Sequence, residues 1–109
     1  MLKKANRLNH VSFAKNFATG KRIHNAYTTV IYAPAQGFAV AVVVSKKIYK
    51  KAHERNLVRR RFYTIIRNII DSNRNIKGEY IFIIKPTIKN LSKKEFKSLI
   101  TLEVGRTLK

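Results

Sequence analysis

The chain has 109 residues, with 24 Lys and Arg against 5 Asp and Glu, and a formal net charge of +19. That length supports one modest core, and a hydrophobic content of 45% excludes a wholly disordered chain. There is no Cys, so disulfides, thiolate nucleophiles and thiolate zinc sites are excluded. No apolar run approaches the ~18 residues that span a bilayer, so no membrane partner is expected.

Residues 1–8 are basic and predict a mobile arm. The opening MLKKANRLNH lacks the apolar stretch of a secretory signal, and a cytoplasmic protein is the expectation. Asn9 or Ser12 is placed to cap a first helix, on which Phe13 and Phe17 share a face four residues apart. Gly20 falls where a C-cap glycine belongs. Residues 27–33 (YTTVIYA) are β-branched and aromatic and predict a strand, and residues 34–37 a turn. The near-continuous apolar run at residues 38–45 (FAVAVVVS) predicts a strand buried on both faces.

From about residue 53 to residue 70, Val58, Phe62, Ile65, Ile66 and Ile69 recur at helical spacing and define a core face. Asn56, Arg60, Tyr63 and Arg67 fall on the roughly opposite side, with Arg59 at the flank. Residues 71–78 predict a polar loop and residues 79–85 a strand ended by Pro86. The capping-box pattern from Ser92 to Glu95 opens a last helix with Phe96, Leu99 and Ile100 on its buried side and Gly105 at its end. This order predicts a single α+β domain over residues 1–109, a two-layer sandwich of three or four strands covered by helices.

Residues 45–67 carry nine Lys and Arg (Lys46, Lys47, Lys50, Lys51, Arg55, Arg59, Arg60, Arg61 and Arg67) and one acid, Glu54. Solvated helix faces usually mix signs, because like charges at i,i+4 destabilise. A folded, one-signed helix face is the footprint of a nucleic-acid binder, whose arginines fork phosphates and stack on bases. On periodicity alone Phe13 and Phe17 are core residues, and the functional alternative is a stacking platform for unpaired bases. Tyr63 lies on the basic face, where the helix does not explain its burial. His10, His24 and His53 have no metal-ligand spacing, and the five acids are scattered, whereas two-metal nuclease chemistry needs clustered carboxylates. No catalytic residue and no protein metal site are expected.

The string Lys46-Lys47-Ile48-Tyr49-Lys50-Lys51-Ala52-His53-Glu54-Arg55-Asn56-Leu57-Val58-Arg59-Arg60 resembles the signature of the bacterial ribonuclease P protein subunit. Phe13-x-x-x-Phe17-x-x-Gly20, the strand before Pro86 and the terminal helix are similar to the same family. The resemblance implies a protein that binds a large catalytic RNA, which removes the 5′ leader of precursor tRNA with Mg²⁺. It implies no obligate protein partner. By position, Lys46, Lys47, Lys50, Lys51, Arg55, Asn56, Arg59 and Arg60 take the places of the RNA-subunit-facing motif, extended along the helix by Arg61 and Arg67. Phe13, Phe17, Val30 and Tyr32 take those of the leader cleft. A left-handed βαβ crossover is implied as well, against the usual right-handed rule. Leu57 departs from the family's arginine, and Tyr63 and Thr64 depart farther along. Arg61 is expected to replace part of the charge missing at Leu57. A structural ribosomal protein or general RNA chaperone would have the same composition, and a metal-dependent nuclease is disfavoured by the scattered acids.

Overall fold

A computed structural model describes residues 7–72 and 75–108, with the backbone but not the side chain of His10. The element order is α1 (His10–Thr19), β1 (Lys21–His24), β2 (Thr28–Ala33), β3 (Phe38–Val43), α2 (Ala52–Ser72), β4 (Gly78–Ile84), a 3-10 turn (Pro86–Asn90) and α3 (Lys93–Thr107). The four strands form one mixed sheet in the order β1-β2-β4-β3. The β1–β2 and β2–β4 pairs are antiparallel. β3 and β4 are parallel neighbours, and α2 lies in the connection between them.

The strand period of two sorts the sheet into two faces. On one face Val30, Val40, Val42, Tyr80, Phe82 and Ile84 pack with Val58, Phe62, Ile65 and Ile66 of α2 and with Phe96, Ile100 and Val104 of α3. The Phe62 and Phe96 rings meet edge to face at 5.5 Å, the geometry that aromatic quadrupoles favour. On the other face lie Ile31 and Ile81, both fully buried and outside that cluster. α1 packs there, against β2 and β4.

The predicted core face of α2 is the observed one, and the Ser92–Glu95 capping box closes through both of its hydrogen bonds. Glu95 is held below the usual carboxylate range by the hydrogen bonds from Ser92. Asn9, not Ser12, caps α1, accepting from the Ser12 N–H at 2.9 Å. The run at residues 38–45 is not buried on both faces. β3 is an edge strand, so Ala39, Ala41 and Val43 remain half-buried while Val40 and Val42 enter the core. β1 carries a single apolar residue, Ile23, too weak a pattern to announce a strand. Of the arm expected over residues 1–8, residues 1–6 lie outside the described residues. Arg7 instead bridges to Val40, and the Leu8 N–H donates to the Val40 carbonyl at 3.0 Å. α3 runs through Gly105 to Thr107, because Val104 and Leu108 continue its buried stripe.

Two glycines are fixed by their surroundings. Gly78 has φ +115°, donates its N–H to the Gly37 carbonyl at 2.9 Å, and lies where a Cβ would meet the Tyr32 ring at 2.6 Å. Gly20 caps α1 with φ −68°, so it is not a left-handed cap. Its role is close approach: a Cβ there would lie 2.5 Å from Ile31 Cγ2 and 2.6 Å from the Asn16 carbonyl. The buried Asn16 donates to Glu79 Oε1 at 2.8 Å, a second tie between α1 and the sheet. At the far end Glu103, 4% exposed, accepts from the Tyr27 N–H at 3.1 Å and the Thr28 hydroxyl at 2.9 Å. These bonds anchor α3 to the start of β2 and satisfy a carboxylate that would be costly to bury unpaired.

Gly20→Ala is therefore expected to destabilise the fold by about 1–3 kcal/mol through overpacking. Urea unfolding measures it, and an unchanged midpoint would show that α1 is free to shift off β2.

Candidate RNA-binding surfaces

The first surface is built on the crossover from β3 to α2. After β3 the chain turns at Ser45, whose carbonyl accepts from the N–H groups of Ile48 and Tyr49 at 3.1 and 3.2 Å. The Ser45 hydroxyl accepts from the Lys47 N–H at 3.1 Å. Buried Ile48 and half-buried Tyr49 pin the turn to the core, which leaves Lys46, Lys47, Lys50 and Lys51 exposed. Burial, with the Glu54 carboxylate adding and Arg61 opposing, pushes the Tyr49 phenol above its ordinary value.

α2 presents Asn56, Arg60 and Arg67 to solvent and holds Arg59 and Arg61 half-buried at its flanks. Arg59 donates to the Asn56 side-chain oxygen. Arg67 reaches Asp71 at 3.8 Å, an exposed pair of little energetic weight. Two members of the basic segment work for the fold. Arg55 donates to the carbonyls of Tyr49 at 2.9 Å and Lys50 at 2.8 Å, tying the loop to the first turn of α2. Tyr63 is half-buried because its hydroxyl accepts from the Val42 N–H at 3.3 Å. With Leu8 on the Val40 carbonyl, this occupies two of the outward groups of the edge strand β3.

The second surface is the α1 face of the sheet. Registered rows run Arg22–Ile31–Ile81–Ala41 and His24–Thr29–Ile83–Val43 across all four strands. α1 lies over β2 and β4, and Ala39, Ala41 and Val43 form a half-buried strip of small residues on β3. The lysine turn begins just beyond Val43, at one end of this face. Phe13 and Phe17 stack at 5.9 Å between centroids, and neither joins the main core. Phe17 is 43% exposed, so the core position that periodicity favours is not where it lies, and its ring faces solvent. The Arg22 guanidinium lies 5.3 Å over that ring and donates to the Phe17 carbonyl at 3.3 Å.

Val30 and Tyr32 are not on this face. Val30 is fully buried in the main core, and Tyr32 packs against Tyr80 at 5.0 Å on the same side. A one-residue difference in register moves every side chain of a strand to the opposite face. The β2 residues turned toward α1 are Thr29, Ile31 and Ala33. Arg22 is the member of this surface that the sequence did not reveal, because β1 itself was not legible.

The sequence model of the ribonuclease P family matches residues 2–106. The chain belongs to the ribonuclease P protein family. It is 42% identical over 86 residues to the ribonuclease P protein component of Phytoplasma australiense, covering 75% of this chain and 72% of that protein. It is 36% identical over 85 residues to the corresponding component of Onion yellows phytoplasma (strain OY-M), covering 75% of this chain and 59% of the relative. In fold it is similar to the RNase P protein of Staphylococcus aureus, with TM-score 0.69 and 18% identity over 97% of this chain and all of that one, 100%. It is likewise similar to the RNase P protein of Thermotoga maritima, with TM-score 0.70 and 22% identity over 94% of this chain and 97% of the other.

Within this ribonuclease P protein the acids have been put to structural use. Glu79 holds Asn16, Glu103 holds the start of β2, Glu95 closes the cap and Asp71 meets Arg67. Leu57 is 46% exposed, and Arg61 lies four residues on along the same flank, its guanidinium 5.6 Å over the Phe96 ring.

Arg55→Ala removes two charge-assisted bonds to loop carbonyls and is expected to cost about 1–3 kcal/mol of stability, in the absence of any RNA. Thermal unfolding of the free protein checks this. A loss of RNA affinity without loss of stability would instead make Arg55 a direct contact.

Proposed function

We propose that the protein binds the catalytic RNA of ribonuclease P through the crossover loop and α2, and the 5′ leader of precursor tRNA along the α1 face of the sheet. Lys46, Lys47, Lys50, Lys51, Asn56, Arg59, Arg60, Arg61 and Arg67 meet the RNA subunit, while Arg55 shapes the loop that presents them. Phe13, Phe17 and Arg22 meet the leader, with a base against the aromatic pair and a phosphate at the guanidinium. The RNA supplies the Mg²⁺ chemistry that cuts the leader and leaves the mature 5′ end. The setting is cytoplasmic, where both RNAs are made.

The observation that carries this reading is the distribution of charge. Four exposed lysines crowd a turn pinned at both ends, beside a helix whose solvent face is basic, and the one acid of that segment, Glu54, is half-buried in the first turn of α2. Phosphates are the complement of such a surface, and each contact releases condensed counterions.

The test mixes the protein with a bacterial ribonuclease P RNA and a labelled precursor tRNA at low Mg²⁺, beside RNA-alone and protein-alone lanes. Cleavage at the mature 5′ end is expected in the mixture only. Binding without stimulated cleavage would make it a structural RNA-binding protein. In the same assay Phe17→Ala is expected to weaken leader-bearing precursor more than mature tRNA, by about 1 kcal/mol or more if a base stacks there. Equal losses on both would remove the leader from this face.

A further inference from the structure

A groove of about 720 Å³ runs between α2 and α3, adjoining the basic face of α2 and remote from the α1 face of the sheet. Ile65, Ile69 and Phe96 give it an apolar floor. Arg60 and Arg61 stand on its α2 wall and Lys93 and Lys97 on its α3 wall. No acid lines it, and among the described residues none of the four cations has a carboxylate within ion-pair distance. Thr64, Thr101 and Ser72, at its edges, turn their hydroxyls back onto their own helices, donating to Arg60, Lys97 and Asn68 carbonyls. Exposed Leu57, one turn before Arg61, extends the apolar stripe at the end of the groove nearer the lysine turn.

We infer that this groove is a second RNA site, which takes an unpaired segment of the bound RNA with its sugars and bases over Ile65 and Ile69 and its phosphates between the two basic walls. The inference rests on the reading that the protein binds ribonuclease P RNA. Two features select this occupant. The cations face each other across the groove, so an occupant must offer negative charge on both sides and apolar surface between, as an unstacked nucleotide chain does. The groove is also continuous with the basic face of α2 through Arg60 and Arg61, which belong to both. RNA seated on that face reaches the groove without a separate encounter. Lys93 and Lys97 then become phosphate contacts, although nothing in the α3 sequence connects them to the basic motif.

The test measures affinity for a bacterial ribonuclease P RNA over a range of salt with the full chain, its Lys93→Gln/Lys97→Gln double variant and a Lys46→Gln/Lys47→Gln double variant. Both changed pairs are exposed, so the fold is retained, and circular dichroism confirms it. Removing Lys93 and Lys97 is expected to lower the slope of log K against log[salt] by about 0.7 per lysine, and to weaken binding about tenfold or more near 0.1 M salt. Lys93→Arg/Lys97→Arg is expected to restore both. If the Lys46/Lys47 pair lowers the slope and the Lys93/Lys97 pair leaves it unchanged, the groove is not an RNA site, and an acidic protein helix becomes its fitting occupant. If the unaltered protein shows no salt-dependent affinity, the RNA-binding reading itself falls.

Discussion

Parallel pairing of β3 with β4 is the constraint on which the rest of the molecule depends. Neighbouring parallel strands cannot be joined by a tight turn, so the chain must leave the end of β3, cross the sheet and return to the start of β4. α2 is that crossing. Its apolar stripe of Val58, Phe62, Ile65 and Ile66 is committed to Phe82, Val40 and Val42 beneath it and to α3 beside it. What remains of the helix surface must face solvent or a partner, and this sequence fills it with arginine. The loop into the crossing is fixed as firmly: Ser45, Ile48, Tyr49 and Arg55 hold it from within, and its four lysines have only outward directions left. The topology thus both creates and aims the basic surface.

A net charge of +19 on 109 residues works against compactness, and the few acids do little to relieve it. Glu103 is buried against β2 and Glu79 is engaged with Asn16. Glu95 serves a helix cap, while Asp71 meets one arginine of α2. Two of the five acids thus tie elements together and two more are engaged within their own helices, so the solvent-facing cations go largely uncompensated. A bound polyanion would supply from outside the neutralisation that the chain lacks, and would couple binding to stability as any ligand specific for the folded state does.

How much of this could be read from the residues depended on how far each signal was local. The core face of α2, the capping box at Ser92 and the strand before Pro86 follow from period and cap chemistry within one segment, and all three appear as read. β1 did not, since Lys-Arg-Ile-His has one apolar residue and becomes a strand only because β2 offers it an edge. The face of β2 also escaped. Alternation shows that Val30 and Tyr32 share a side but not which side, and that is set by the path from α1 through Gly20, whose close approach to Ile31 turns Ile31 toward the helix. Phe13 and Phe17 were ambiguous for the same reason, because spacing reveals a shared face and tertiary packing decides what the face meets. Arg22 was out of reach of sequence reasoning, as its role exists only where β1 brings it over Phe17.

The basic segment also carries two jobs that its composition makes look like one. Arg55 and Tyr63 belong to it by sequence, yet Arg55 spends its guanidinium on backbone carbonyls and Tyr63 spends its hydroxyl on the edge of β3. An arginine at position 63 would add charge to α2 but would leave the Val42 N–H without that acceptor. The tyrosine trades one cation for a satisfied edge, in a chain with cations to spare. At Leu57 the exchange runs differently: an exposed apolar side chain adjoins Arg61, and Arg61 leans over Phe96 toward α3. Tyr63 and Leu57 together shift α2 away from being a uniform basic rod. One flank is tied to the sheet edge and the other opens toward the groove with α3.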